Sequence, residues 1–181
     1  MPITIERIGR DASDDLVGEL ASLLVDAVDS GAGVSFMAGL SLAEAASWWR
    51  QTLRASSPRA IILIARQRGE IHGTVQLQPS WAPNQPHRAD IAKLIVHRKA
   101  RRNGIARELM REVERLAKDA GFTLLLLDTC KGTAAERLYQ SLGWTRVGEV
   151  PHFALNPDGT PCDTVFFYRQ LSPAGQGITG P

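Results

Sequence analysis

Apolar residues recur along this chain with two periods, one typical of helices and the other of strands. Apolar side chains spaced three or four residues apart predict an amphipathic helix, whereas strict alternation or a short apolar run predicts a strand. The helical stripes span residues 16–28, 42–53, 105–120 and 135–142. The predicted strands span residues 3–8, 60–66, 71–78, 88–97, 124–127, 144–150 and 164–168.

Local signals support the ends of several elements. Residues 41–44 (Ser-Leu-Ala-Glu) and 133–136 (Thr-Ala-Ala-Glu) both have the spacing of a capping box at a helix start. Gly121 follows the third helical stripe, where a glycine commonly ends a helix. The four leucines at 124–127 form too short a run for a helix and predict a fully buried strand.

The order of these elements predicts one mixed α/β domain. The strands at 60–66 and 71–78 form a hairpin and are therefore antiparallel. Residues 88–129 read as strand, helix and strand, a crossover that makes its two strands parallel. The domain is expected to occupy residues 1–171, and the tail at 172–181 to be disordered.

Composition indicates an ordinary globular protein. Of its 181 residues, 44% are hydrophobic and 22% are charged. The formal net charge of +2 does not favour a general nucleic-acid partner. No apolar run reaches the roughly 18 residues of a membrane span, and no signal peptide is recognised, so a cytoplasmic protein is expected.

The cysteines and histidines do not suggest a metal site. Cys130 and Cys162 have neither metal-ligand spacing nor the pattern of a disulfide framework. They are expected to be free thiols in a reducing compartment. The four histidines show no metal-ligand spacing either, so no metal is expected.

A basic turn between the strand at 88–97 and the following helix is the first candidate site. The first N–H groups of a helix have no partner inside it, and they carry a partial positive charge. Gly104 at the helix start would let a phosphate approach them closely. The turn therefore predicts a site for a phosphorylated cofactor. Its basic residues are Arg98, Lys99, Arg101 and Arg102.

This turn has neither of the common nucleotide-binding loops, Gly-x-x-x-x-Gly-Lys-Ser/Thr or Gly-x-Gly-x-x-Gly. Residues 101–106 read Arg-Arg-Asn-Gly-Ile-Ala, an Arg-x-x-Gly-x-Ala pattern. A second segment, residues 135–144, reads Ala-Glu-Arg-Leu-Tyr-Gln-Ser-Leu-Gly-Trp. These two motifs, in this order of elements, resemble the GNAT superfamily of acyl-CoA-dependent N-acyltransferases.

The resemblance implies a mixed, mostly antiparallel, twisted sheet of about seven strands with helices on both faces. Its parallel pair of strands splays around the acyl-CoA site. Acetyl-CoA is the expected co-substrate, with pantetheine along the 94–96 strand edge and the Leu94 N–H as oxyanion donor. The family's usual Asn is Gly132 here, so that contact is not carried over. The residues expected to bind coenzyme are Leu94, Ile95, Val96, Arg101, Arg102, Asn103, Gly104, Ile105 and Ala106.

The same resemblance assigns catalytic roles. Tyr139 is the expected general acid, since a tyrosine with a pKa near 10 is protonated at neutral pH. The alternative for Tyr139 is a helix aromatic packed in the core. Asp90 and Asp128 are candidates for the base that deprotonates the amine, directly or through water, and either one is instead a candidate to bind the substrate ammonium.

The acceptor side is expected near the loop at 31–39, which either covers the pocket or serves as a plain connector. The adjacent Trp48 and Trp49 point to different faces of their helix, with Trp49 expected in the core. Residues 31–37, Lys93-Leu94 with Val96, and 156–159 resemble the tabtoxin-resistance acetyltransferases, which acetylate an amino-acid toxin. The expected acceptor-binding residues are Phe36, Trp48, Asp90 and Asp128.

The resemblance implies an acetyl-CoA-dependent N-acetyltransferase that acts on a small-molecule amine, amino-acid-like or toxin- or antibiotic-like. A protein N-terminal or lysine acetyltransferase remains an alternative, as does a non-catalytic acyl-CoA-binding regulator. No nucleic-acid or membrane partner is expected. The sequence leaves monomer and homodimer open.

Overall fold

The computed structural model describes residues 2–172, and the predicted tail beyond them lies outside the described residues. Every predicted helix and strand is present. The strands are β1 (Thr4–Ile8), β2 (Ile61–Gln67), β3 (Glu70–Pro79), β4 (Arg88–Val96), β5 (Leu124–Cys130), β6 (Thr145–Leu155) and β7 (Pro161–Gln170). The helices are α1 (Asp14–Asp29), α2 (Leu42–Ala55), α3 (Ile105–Asp119) and α4 (Ala134–Ser141).

The strands form one seven-stranded sheet in the order β1-β2-β3-β4-β5-β7-β6. Only β4 and β5 are parallel, as the strand–helix–strand unit predicts. Their pairing covers Arg88–Asp90 and Leu124–Leu126 alone, although both strands continue well beyond it. The predicted mixed sheet, with a parallel pair that splays, is therefore confirmed.

Helices cover both faces of the sheet because the central strands alternate between two apolar clusters. Ile62 and Ile64 of β2 pack with α1 and α2. Ile61 and Leu63 of the same strand pack with α3 on the opposite face. The opening between β4 and β5 therefore lies between two packed layers.

An irregularity in β4 sets the side-chain directions near that opening. The register with β3 shifts between Thr74 and Gln76, and Lys93 has a positive φ of 52°. Such a bulge adds one residue to a strand and re-aims its side chains. Ile91 and Leu94 consequently both face the α3 cluster, whereas Lys93 between them faces α1 and α2.

The expectation of free thiols is wrong. Cys130 and Cys162 form a disulfide, with their Cα atoms 6.0 Å apart. Neighbouring strands bring them together, because β5 pairs antiparallel with β7 and Cys130 lies opposite Thr164. The pairing depends on which strand adjoins β5, and spacing along the chain does not reveal that. The inference of a reducing compartment loses this support.

Two smaller expectations are also corrected. The leucine strand is not fully buried: Leu125 and Leu127 are buried, but Leu124 and Leu126 are partly accessible. This difference follows because one face of β5 packs in the α3 core, whereas its other face contributes no residue to the α1–α2 cluster.

The second predicted capping box is only half formed. The Glu136 N–H donates to the Thr133 hydroxyl, but the Glu136 carboxylate accepts from the Gly132 N–H at 2.6 Å instead of closing on Thr133. The capping box of Ser41 and Glu44 is confirmed in both directions.

Candidate active site

The predicted anion turn forms an open helix N-terminus. Gly104 is the N-cap of α3, has a φ of 82°, and makes no side-chain capping bond. A Cβ placed on Gly104 would meet no protein atom within 4 Å. The first N–H groups of α3 thus lack a side-chain partner and border open space. This environment fits a phosphate group.

The basic side chains of this turn divide into two groups. Arg98 donates to the Asp26 carboxylate through its backbone N–H and its guanidinium, and Arg101 donates to the Val96 carbonyl oxygen at 3.3 Å. Burial of Asp26 opposes ionisation, but the Arg98 hydrogen bonds and the nearby positive charges lower its pKa. Lys99 and Arg102 are exposed, and their side chains form no bond with the described residues. Only this second pair is free to meet an anion.

Beyond the paired segment, β4 has no strand neighbour on its β5 side. The three residues of the predicted pantetheine edge, 94–96, lie in this stretch and lead directly into the turn. Leu94 and Val96 are half-buried and pack against the α3 cluster. Main-chain groups along this edge are consequently available to an extended ligand.

Asp90 and Asp128 lie on the same face of the splayed strands. Each alternates with residues of the α3 cluster, so both face the α1–α2 side. Asp90 accepts a hydrogen bond from Arg88 at 3.1 Å. Burial raises the pKa of Asp90, and the Arg88 charge opposes that rise.

Asp128 is exposed, and it forms no ion pair with the described residues. Burial is the largest cause that raises its pKa, while the Lys93 charge lowers it and the Asp90 charge raises it. Asp90 lies opposite Leu126 in the β4–β5 pairing, and Asp128 follows Leu126 by two residues on the same face, so the two aspartates are near each other where the strands splay. The structure thus brings them together as the sequence predicts.

Tyr139 lies on α4 and is only 5% exposed. Its ring packs against Trp144 and Phe167, with centroids 6.1 and 6.0 Å away. Burial, followed by the negative charge of Asp128, raises the pKa of Tyr139 above its ordinary value. The ring is therefore packed in the core, and the tyrosine is near enough to Asp128 for the carboxylate charge to affect its pKa.

Aromatic side chains lie on the α1–α2 side of the opening, where the acceptor is expected. Phe36 meets Trp48 edge to face at 5.4 Å, whereas Trp49 is fully buried, as expected. The Ala38 N–H donates to the Pro157 carbonyl oxygen at 2.8 Å, which holds the loop against the β6–β7 turn. The loop is more than a loose connector, because it presents Phe36 to the opening.

Lys93 is a further residue of this region, absent from the predicted site. Its ammonium donates to the Ser35 hydroxyl at 2.9 Å and lies 5.9 and 5.7 Å from the ring centroids of Phe36 and Trp48. Burial lowers the pKa of Lys93, and the Asp128 charge opposes that change. The presence of a lysine in an otherwise apolar strand is the one feature of the sequence that could have marked Lys93 as a site residue. Alternation along the strand does not show which face of the sheet a bulged residue takes.

Residues 2–172 contain neither a membrane-spanning helix nor a cluster of metal-binding side chains. No helix in this range is long and apolar enough to cross a membrane. Within the same range, no three histidine, cysteine or acidic side chains gather closely enough to hold a metal ion.

Comparison with known proteins agrees with this architecture. The model of the acetyltransferase (GNAT) family matches residues 34–144. An uncharacterized N-acetyltransferase from the hisH-hisA intergenic region of Azospirillum brasilense is 33% identical over 128 residues, which covers 70% of this chain and 74% of that protein.

Solved structures show the same fold at low sequence identity. An N-acetyltransferase from Staphylococcus aureus Mu50 superposes with a TM-score of 0.79 at 18% identity, covering 95% of this chain and all of that one (100%). The structure of yncA from Salmonella typhimurium with its cofactor acetyl-CoA has a TM-score of 0.76 at 17% identity, covering 98% and 99%. These structures show the fold. The family match over residues 34–144 and the relative from Azospirillum brasilense show that the protein belongs to the GNAT acetyltransferase family and is an N-acetyltransferase.

Proposed function

We propose that this enzyme transfers the acetyl group of acetyl-CoA directly to the nitrogen of a small-molecule amine. The observation that supports the proposal is an exposed carboxylate, Asp128, beside the β4–β5 opening, with the buried Tyr139 near enough for the Asp128 charge to raise its pKa. A base and an acid beside one opening are the two proton-transfer groups that amine acetylation needs. An open helix N-terminus adjoins the same opening.

Acetyl-CoA supplies an acetyl group activated as a thioester. The backbone N–H groups of residues 102–106 bind its pyrophosphate, and the 94–96 edge binds its pantetheine through main-chain groups. The Leu94 N–H donates to the negatively charged oxygen that forms when the amine attacks the acetyl carbon. Arg101 holds the turn in place through the Val96 carbonyl oxygen.

The structure favours Asp128 over Asp90 as the base. An alkylammonium with a pKa near 10 must lose a proton before it attacks the thioester. Asp90 is held by Arg88, whereas Asp128 forms no ion pair with the described residues. The raised pKa of Asp128 brings it closer to the pH at which it works, which favours proton uptake. Asp90 then binds the ammonium before transfer.

Proton uptake by Asp128 also prepares Tyr139 to act as the acid. The charge of Asp128 is one of two causes that raise the pKa of Tyr139. When the amine proton neutralises Asp128, this cause disappears and the phenol becomes a better donor. Tyr139 gives its proton to the departing thiolate and regains one from Asp128. The second proton, which the nitrogen loses as the tetrahedral adduct collapses to the amide, passes through Asp128 to solvent. The ammonium thus gives up two protons, one of which the thiol keeps and one of which the solvent takes.

A small acceptor fits the closed, aromatic character of the acceptor side. The loop that carries Phe36 is tied to the β6–β7 turn through Ala38 and Pro157, so it narrows the side where a peptide would lie. The resemblance to the tabtoxin-resistance acetyltransferases points the same way, towards an amino-acid-like or toxin-like amine.

The test is a thiol-release assay with acetyl-CoA over a panel of small amines, peptides with free N-termini and lysine peptides. Mass spectrometry identifies the acetylated product. Tyr139→Phe should lower kcat by about a hundredfold with little change in acetyl-CoA affinity. Tyr168→Phe, the other tyrosine of the chain, is the control and should keep its activity.

Turnover of peptides in preference to small amines would contradict the proposed acceptor. Full activity of Tyr139→Phe near neutral pH would contradict the assignment of the acid. Binding of acetyl-CoA without thiol release from any acceptor would favour a regulator over an enzyme.

A further inference from the structure

Lys93 places a positive charge on the acceptor side of the opening. Its ammonium has one hydrogen-bond acceptor, the Ser35 hydroxyl, and forms no ion pair with any carboxylate of residues 2–172. A lysine ammonium has three N–H donors, so this contact uses only part of its capacity. The remaining donors point to an unmet anionic or polar partner.

The surroundings hold the ammonium in place without neutralising it. The rings of Phe36 and Trp48 lie within cation–π distance, at 5.9 and 5.7 Å. A half-buried charge is costly unless it is paired and hydrogen-bonded. Two aromatic faces and one hydroxyl restrict its position, yet they supply no compensating negative charge.

The charges around the opening have two signs. Asp90 and Asp128 supply negative charge on the same face of the sheet, and Asp128 is close enough for Lys93 to affect its pKa. Carboxylates suit a cationic amine, but a fixed lysine beside them repels one. The combination is unfavourable for a plain amine and favourable for an amine that also carries an anion.

We propose that Lys93 binds an anionic group of the acceptor, a carboxylate in the simplest case. The acceptor is then a zwitterion, whose ammonium faces the aspartates and whose anion completes the Lys93 site between Phe36 and Trp48. This inference rests on the proposed function, since it names the class of amine that the acetyl group reaches. It makes Lys93 a specificity-determining residue that also acts, through its charge, on the pKa of the proposed base Asp128.

The test compares matched acceptors that differ only at the anion: an α-amino acid, its carboxamide and its decarboxylated amine. The wild type should turn over the amino acid with a kcat/KM at least about tenfold higher than either neutral analogue, because charged hydrogen bonds are the strong ones. Lys93→Met should remove this preference mainly by raising KM for the amino acid. A change in kcat that comes from the altered pKa of Asp128 should be the same for all three acceptors and leave the KM of the neutral analogues unchanged.

Three further variants separate charge from structure. Lys93→Arg keeps the positive charge and should retain most of the preference. Ser35→Ala removes the hydrogen bond to Lys93 but leaves the charge, and should retain it as well. Lys118→Met, an exposed lysine on α3, controls for a general loss of charge and should match the wild type.

Binding provides a readout that does not need turnover. The acetylated product of each acceptor is titrated against enzyme while tryptophan fluorescence is followed, since Trp48 adjoins the site. N-acetyl amino acids should bind the wild type at least about tenfold more tightly than N-acetyl amines, and Lys93→Met should erase the difference.

An equal loss for all three acceptors in Lys93→Met would overturn the inference, because it would show a structural role only. Equal binding of charged and neutral products by the wild type would overturn it too. If no acceptor were acetylated but the product preference and its loss in Lys93→Met were seen, the proposed function would fail and the anion site would stand.

Discussion

Replacing Gly73 by alanine is expected to disturb the contact between β3 and the start of α3. A Cβ at this position would lie 2.9 Å from Ile105 Cγ2, 3.0 Å from Leu109 Cδ1 and 3.0 Å from the Ile95 carbonyl oxygen. Carbon atoms in contact normally lie about 3.5–4.0 Å apart, so no room exists for the methyl group. Ile105 and Leu109 are fully buried, so the first turns of α3 must shift away from the sheet.

The size of the effect follows from this misfit. Overpacking a dense core costs about 1–3 kcal/mol. Alanine also restricts the unfolded chain, which offsets about 0.4–1 kcal/mol of that cost. The free energy of unfolding should therefore fall by about 0.5–2.5 kcal/mol, equivalent to about 1–10 °C in Tm for a domain of this size.

Urea-induced unfolding, followed by circular dichroism, measures this change. Gly18→Ala is the matched control, because Gly18 lies within α1 and an added Cβ meets nothing within 4 Å there. That variant should gain up to about 1 kcal/mol from the higher helix propensity of alanine. If Gly73→Ala unfolded at the same urea concentration as the wild type, the account of close packing between β3 and α3 would be refuted.

Two further predictions concern charge and the disulfide. Asp128→Asn should raise Tm at neutral pH, because the raised pKa of Asp128 means that its ionisation disfavours the fold. Melts across a range of pH should show no gain well below the ordinary pKa of 3.8 and a gain that grows as the pH rises through the raised pKa. A gain that is largest in acid would contradict this. Reducing the Cys130–Cys162 disulfide, which closes a sequence separation of 32, should lower the free energy of unfolding by about 3–4 kcal/mol. Melts with and without dithiothreitol measure this change. The Cys130→Ser/Cys162→Ser double variant should not respond to the reductant, and an equal response of the two proteins would contradict the prediction.

The sequence predicts the elements of this fold well because local patterns set most of them. The stripe that begins at Ile105 becomes α3, and Ser41 with Glu44 forms the expected capping box. The parallel β4–β5 pair follows from the handed crossover between them. Each of these features depends on residues close together in the chain.

Features that depend on neighbours distant in the chain were missed. The disulfide requires β7 to lie beside β5, and only the order of the strands in the sheet shows this. The half-formed second capping box is a local exception, because the Glu136 carboxylate accepts from the Gly132 N–H, one residue before the expected N–H of Thr133. The Lys93 side chain faces α1 and α2 because of a bulge in β4, and alternation along the strand does not predict that bulge.

The candidate site divides in the same way. The sequence predicts Asp90, Asp128 and Tyr139 as site residues. The β4–β5 register brings the two aspartates near each other, and the Asp128 charge raises the pKa of the buried Tyr139. The basic turn was predicted as a group, yet Arg98 is committed to Asp26. Which basic residues keep a free side chain depends on packing against α1, and no local motif encodes that packing.

The central claim is that the start of α3 holds acetyl-CoA for transfer at the β4–β5 opening. Calorimetric titration of acetyl-CoA into Gly104→Ala and Gly121→Ala tests it most directly, since both glycines adjoin α3, share a φ of 82° and have open space at Cβ. Backbone strain is thus matched, and only Gly104 lies at the proposed phosphate site. The account predicts that Gly104→Ala weakens Kd by about tenfold or more while Gly121→Ala binds like the wild type. Equal affinities in the two variants would contradict it.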